Sequence, residues 1–351
     1  MNAPARPPEG RVPSLGEDVA QRQEGTPRHK PLIRARGLHV SFVSREATIA
    51  AVNGIDLDLD QGEVLCILGE SGSGKSVTLR ALMRLNPKSK TVMRGELAVA
   101  GHDMMALPES KLPALRGKVV SMIFQEPMTA LDPVFTIGQQ IVETIVRHEG
   151  VSKAEARRRA LDLLDLVQIP SARMRLDAYP HELSGGLRQR AMIAMAISCR
   201  PRLLLADEPT TALDATVQIQ VLLLLRRLQK ELGMGVVFVT HDLGVAGEIA
   251  DRVAVMYAGR IVEQGSVSSL LADPLHPYAR GLLGATVQPG NRGARLTTIP
   301  GAPPDLRLPM TGCAFAPRCP QAGEDCRAGV PAFRYPAPGR KVRCVRVTET
   351  A

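Results

Sequence analysis

With 351 residues, 44% hydrophobic and 23% charged, the chain can bury a full core and has room for more than one domain. Its apolar windows, such as 191–199 and 221–225, fall well short of a membrane span, and no N-terminal apolar segment reads as a signal peptide; a cytosolic protein without disulfides is expected. The formal charge of +9 suits nucleic acid, an anionic membrane or phosphate ligands alike, but four Tyr, six Phe and no Trp argue against a base-stacking surface.

Residues 1–30 are rich in Pro, Arg, Glu, Gln and Gly without apolar periodicity, the pattern of a disordered arm. Segments 32–43 and 51–59 alternate apolar and polar residues and predict two half-buried strands. Phe42 lies on the first, where it could stack on an adenine or pack in a core; the sequence leaves both open. The apolar run 64–68 predicts a buried strand that enters Gly69-Glu70-Ser71-Gly72-Ser73-Gly74-Lys75-Ser76, followed by Val77 and a helix over 76–85. Glycines at this spacing let the backbone wrap closely with its N–H groups inward, and the helix start adds its positive end: a phosphate-binding loop. Lys75 would reach the β- and γ-phosphates of a nucleotide and the Ser76 hydroxyl would ligate Mg²⁺.

Further on, 94–100 and 118–124 read as strands, the second ending at Gln125, and 126–134, with two prolines, as a loop. From 137 to 169 the pattern is helical, an interruption of the strand–helix alternation. Ser184-Gly185-Gly186 then opens a helix whose body, 191–198, is nearly all apolar. Free N–H groups at that start plus the serine hydroxyl form a second anion site, which in one chain suggests service to a partner's nucleotide. The run 203–206 predicts a buried strand ending in Asp207 and Glu208, where Asp207 can hold Mg²⁺ through water and Glu208 can orient or deprotonate an attacking water. Asp214 starts the next helix. Strand 236–239 ends at Thr240-His241-Asp242, which puts His241 where parallel sheets bind ligands. Segments 251–257 and 260–264 read as a hairpin around Ala258-Gly259, 266–272 as a short helix, and from about 273 the composition shifts to Pro, Gly and Arg with scattered cysteines.

In order and spacing, Gly69 to Ser76, Gln125, Leu183 to Gly186, Leu203 to Glu208, Ala212 to Asp214 and His241 resemble the ATP-binding-cassette family over about two-thirds of the chain. The resemblance implies an α/β P-loop NTPase fold: a nucleotide-binding domain over 31–272 with a mixed-sheet core, an antiparallel β subdomain and an inserted helical subdomain at about 127–190. It also implies roles. ATP would lie on Gly69 to Val77 with Lys75 on its phosphates, Mg²⁺ on Ser76, Gln125 and Asp207, Glu208 as general base, His241 steadying the γ-phosphate, and Ser184, Gly185, Gly186 and Asp214 acting across an interface with a second cassette. Leu187 departs from the usual signature residue, a change expected to be harmless.

Asp273-Pro274-Leu275-His276-Pro277-Tyr278, Ile299 to Pro304 and Cys313 to Cys319 are similar to the tail of the oligopeptide/dipeptide branch of bacterial importers, as is Glu126 to Pro133. That branch implies a peripheral ATPase on the cytoplasmic side of the inner membrane, working with a related but different ATPase chain, two permeases and, indirectly, an external solute-binding protein, and with no nucleic acid. Nickel, glutathione or another small solute are alternative cargoes, and a soluble cassette acting on ribosomes or DNA is a further alternative, opposed by the single set of motifs. The unit 273–351 gathers Cys313, Cys319, Cys326 and Cys344. Their spacing matches neither paired zinc cysteines nor a standard ferredoxin run, so spacing leaves metal and spectator thiols open. Few apolar residues and the cations Arg318, Arg327, Arg340, Lys341 and Arg343 favour a thiolate-ligated centre, and the family resemblance implies a [4Fe–4S] cluster, with zinc as the other candidate.

Overall fold

The structure, a computed structural model, describes residues 31–211, 213–285 and 298–349. The expected arm at 1–30 and Ala212 lie outside the described residues. Twelve strands are described: β1 Ile33–Val43, β2 Thr48–Leu59, β3 Val64–Leu68, β4 Thr91–Val99, β5 His102–Asp103, β6 Val120–Ile123, β7 Leu203–Asp207, β8 Gly235–Thr240, β9 Arg252–Tyr257, β10 Arg260–Ser266, β11 Arg334–Ala337 and β12 Arg340–Val342. They form an antiparallel sheet ordered β2-β1-β4-β5 and a larger mixed sheet ordered β11-β12-β10-β9-β3-β8-β7-β6, whose stretch from β9 to β6 is parallel.

Strands β3 and β7 are buried at every position, because both faces of the larger sheet are covered. Their side chains therefore divide with the two-residue period of a strand. Val64, Cys66 and Leu68 join one core with Leu204, Ala206, Val236 and Phe238, while Leu65 and Ile67 join a second with Leu203, Leu205, Val237 and Val239. The second core closes against the antiparallel sheet, where Ile33, Ala35, Leu38 and Val40 on β1 meet Val52, Ile55, Leu57 and Leu59 on β2. The first closes against helices, among them Ile137–Glu149, Lys153–Leu166 and Gly185–Ile197. Thr136 and Gln139 form a reciprocal capping box at the first of these, which fixes where the helical segment begins. The stretch read as a loop, 126–134, contains one helical turn, Pro127–Ala130, for which proline at the first helical position is suited because it has no N–H to leave unpaired.

The C-terminal segment was expected to lack apolar residues for a core of its own, and it shares one instead. The described residues from 31 onward form a single compact unit, and β12 pairs with β10 through Glu263↔Val342 and Gln264↔Lys341. Tyr278 and Phe315 pack their rings against Tyr257 of β9, with centroids 4.6 and 5.3 Å away, inside the first core. The fully buried Glu263 carboxylate accepts the N–H groups of Leu275 and His276 and pairs with Arg340 at 2.9 Å, so both ends of the segment are tied to one strand. His276 accepts the Tyr278 N–H on Nδ1, and burial drives its pKa down to about 3, leaving it a neutral helix cap.

Candidate nucleotide and catalytic site

Register assembles the site. Leu68 pairs with Thr240 and Asp207 with Val239, while Ile123 pairs with Ala206, so the segments after β3, β6, β7 and β8 emerge at one edge of the parallel sheet. A cavity of about 820 Å³ opens there, lined by Gly69, Glu70, Ser71, Gly72, Gly74, Lys75, Ser76 and Val77 from the loop, and by Gln125, Glu208 and His241 from the other strand ends. Phe42, half-buried on β1, and Ile49 on β2 line its mouth, so Phe42 stands in the cavity wall and not in a core.

Two loop glycines are required by backbone geometry. Gly74 has φ of +104°, and a Cβ there would come within 2.3 Å of the Ala51 carbonyl oxygen; a Cβ on Gly69 would meet the Met256 carbonyl at 2.2 Å. The helix Lys75–Leu82 follows at once, with no side chain capping its start, so its free N–H groups face the loop. Lys75 is almost wholly buried and donates to the carbonyls of Gly69 (2.8 Å) and Glu70 (3.0 Å), with Glu208 Oε1 3.8 Å away. Burial lowers the pKa of its ammonium, and the nearby Glu208 and Asp207 charges oppose that shift. Ser73, also buried, has a hydroxyl with no hydrogen-bond partner.

Ser76 donates its hydroxyl to Asp207 Oδ1 at 2.7 Å, and burial raises the Asp207 pKa against the pull of that bond and of Arg80. These two hard oxygen donors, with the Gln125 amide nearby on Glu208, have the chemistry that Mg²⁺ takes. Glu208 is held from four sides: Thr211 Oγ1 donates to Oε2 at 3.0 Å, Gln125 Nε2 to Oε2 at 3.3 Å, His241 Nδ1 lies 3.4 Å from Oε2, and Lys75 faces Oε1. Its backbone is left-handed, φ +44°, a conformation that costs on the order of 1–3 kcal/mol for a non-glycine and that concentrates at functional sites.

Ser184, Gly185 and Gly186 do not line this cavity. Ser184 caps the helix Gly185–Ile197, accepting the Leu187 N–H at 3.4 Å, and Gly186 packs where a Cβ would come within 2.8 Å of Val217. Asp214 caps the helix Ala215–Leu232 through the Val217 N–H, so the two helix starts lie side by side on the outside of the cavity.

Sequence reasoning missed Thr211, and it missed the part the C-terminal segment plays here. Leu282 and Leu306 line the same cavity, the Leu306 carbonyl accepts the Ala50 N–H, and Tyr278 and Arg318 bond Glu70. No local pattern carries such contacts, which join residues more than 200 positions apart. Thr211 alone was within reach, because a hydroxyl three residues past the expected base is near it in any turn.

The four C-terminal cysteines line a second, much smaller cavity of about 10 Å³, with Arg346 also on its wall, and the Cys313 N–H donates to the Cys326 carbonyl. Burial pushes the thiols of Cys313 and Cys319 up. Among the described residues no three His, Cys, Asp or Glu side chains are placed to hold one metal ion. The cations expected to offset a metal-thiolate charge are largely engaged elsewhere: Arg318 on Glu70, Arg340 on Glu263, and Lys341 and Arg343 over the Phe333 ring.

Comparison with known proteins gives the same outline. The family model described as ABC transporter matches residues 52–211, and the one described as oligopeptide/dipeptide transporter, C-terminal region, matches 262–326. An oligopeptide transport ATP-binding protein, OppD, of Salmonella typhimurium is 47% identical, over 91% of this chain and 94% of its own length. A dipeptide transport ATP-binding protein, DppD, of Bacillus subtilis is 45% identical, over 89% of this chain and 94% of its own. Among solved structures, the dimeric post-hydrolysis state of the ATP-binding cassette MJ0796 bound to ADP and Pi is similar with a TM-score of 0.60 and 28% identity, covering 67% of this chain and 98% of that one.

Proposed function

The chain belongs to the ABC transporter family of ATP-binding proteins, and from that premise we propose that it is the ATP-hydrolysing subunit of a bacterial importer that takes up di- and oligopeptides through two membrane permeases. The observation that carries the reading is the convergence of Lys75, Ser76 and Glu208 on one cavity large enough for a nucleotide, with Asp207 bonded to Ser76 at its wall. ATP would lay its phosphates on the loop Gly69 to Val77, and Lys75 would exchange the Gly69 and Glu70 carbonyls for β- and γ-phosphate oxygens. Ser76, Gln125 and Asp207 would hold Mg²⁺, which supplies charge neutralisation at those oxygens. Glu208 takes the proton of the attacking water while His241 steadies the γ-phosphate side. The position of Ser184 outside its own chain's cavity supports a head-to-tail pair in which the signature serves the nucleotide of a second ATPase chain, one related to this chain but not identical to it.

The helical subdomain, about 127–190 within the unit 31–272, is the surface that would receive the permeases. Met128, Val134, Phe135, Met174 and Tyr179 are all exposed on it, large apolar side chains open to a partner. No helix among the described residues is long and apolar enough to cross a membrane, so attachment to the cytoplasmic face of the inner membrane would rest on that contact. Assembled in liposomes with its permeases and binding protein, the chain should drive ATP-dependent accumulation of a labelled dipeptide and show peptide-stimulated ATPase activity. Transport of nickel or glutathione without any peptide uptake would overturn the peptide reading.

Cys313, Cys319, Cys326 and Cys344 belong to the same proposal as ligands of a [4Fe–4S] cluster, zinc being the alternative, in the tail unit 273–351. Support comes from their convergence on one cavity, which at about 10 Å³ would have to open to take a cluster. Anaerobic preparations should be brown and contain iron, and Cys319→Ser should lose it. A colourless, iron-free anaerobic protein, or full iron in Cys319→Ser, would exclude the cluster.

A further inference from the structure

Arg318 lies one residue before Cys319, on the short turn Ala316–Arg318, yet its side chain is only 5% exposed and reaches the phosphate loop. Its guanidinium makes a two-pronged pair with Glu70, Nη1 to Oε2 at 2.7 Å and Nη2 to Oε1 at 3.0 Å. The remaining donors are also used: Nε on the Pro300 carbonyl at 2.9 Å, Nη1 on the Tyr257 hydroxyl at 3.3 Å and Nη2 on the Ile299 carbonyl at 3.3 Å. All five N–H groups of the fork are thus satisfied, a geometry that lysine cannot reproduce. The rings of Tyr257 and Phe315 lie 5.8 and 5.9 Å from its central carbon.

Glu70 is fixed at its other end too. Its N–H donates to the Tyr278 hydroxyl at 2.8 Å, and its carbonyl accepts from Lys75. The peptide that begins the phosphate loop is therefore held by Lys75 from within the site and by Tyr278 and Arg318 from the C-terminal segment. Glu70 also lines the nucleotide cavity, so a shift of this peptide displaces the cavity wall itself.

We propose that Arg318 is a positioning residue for the phosphate loop, which sets ATP affinity by holding Glu70 in place, so that the C-terminal segment is a working part of the nucleotide site. The proposal rests on ATP occupying the loop, as read above. It places the control of this loop outside Gly69 to Ser76, in a segment whose own contribution to the cavity wall is Leu282 and Leu306.

The test uses the full chain and MgATP, with equilibrium affinity and thermal unfolding measured on Arg318→Met, Glu70→Ala and the double variant. Each single change should weaken ATP binding about tenfold, the scale of one buried charge-assisted bond. The double variant should be no weaker than the worse single one, because both break the same link. Glu70→Ala leaves the buried Arg318 charge without its carboxylate and should lower the unfolding midpoint, whereas the double variant buries no unpaired charge and reads the link even where a single change fails to fold. Wild-type affinity in folded Glu70→Ala, or losses that multiply in the double variant, would overturn the proposal. Should the wild-type chain fail to bind ATP, or bind it equally with Lys75→Ala, the reading of the nucleotide site itself would fall instead.

Discussion

Glu208→Gln should leave ATP affinity within about threefold of wild type while hydrolysis in the assembled transporter falls about 10³-fold, the usual range for loss of a positioned general base. The asymmetry follows from where Glu208 sits. It lies beyond the strand end, across the cavity from the loop, and its contact with Lys75 is a 3.8 Å pairing and not a bond that shapes the cradle. The glutamine keeps an oxygen for the Thr211 hydroxyl, so the left-handed turn at Glu208 stays supported, but it cannot accept a proton from water. Single-turnover phosphate release and equilibrium ATP binding on the same preparation separate the two quantities. Near-normal turnover would remove Glu208 from the role of base and leave His241 as the group to test.

Much of this site was legible in the sequence because its chemistry is local. A run of apolar residues, then glycines at fixed spacing, then Lys75 and Ser76 specifies strand, loop and helix within fifteen residues, and the four-residue run before Asp207 specifies the neighbouring strand. Helix caps were legible for the same reason, since Ser184 and Asp214 act on N–H groups three residues away. What was not legible depends on distance along the chain. The two readings of Phe42 could be told apart only by the register of β1 and β2, which puts Phe42 opposite Ile49 at the cavity mouth. The Cys-containing segment read as a poor core because its apolar residues are few; its stability comes from Tyr257 and Glu263, which lie on strands of the preceding domain. Cations counted as neighbours of the cysteines turned out to have carboxylate and aromatic partners, a pairing that composition cannot assign.

Lys75→Ala and Ser184→Arg should separate the two halves of a shared site. Removing the Lys75 ammonium deletes the one buried cation facing the phosphates among the described residues and leaves the Gly69 and Glu70 carbonyls without their donor, so ATP binding by this chain should drop about 100-fold or more. Ser184→Arg should do the reverse. Ser184 lies outside its own chain's cavity, so ATP affinity of the isolated chain should stay within about twofold, whereas an arginine on the signature blocks the face that a partner's nucleotide would meet. Hydrolysis at the partner's site should then fall by at least about 100-fold in the assembled pair, because the helix N-terminus of Gly185–Ile197 no longer reaches the γ-phosphate. Equilibrium binding on the single chain and ATP turnover in the complex read the two effects independently. If Ser184→Arg weakened ATP binding by the isolated chain as much as Lys75→Ala does, both motifs would belong to one chain's own site and the head-to-tail arrangement would be wrong.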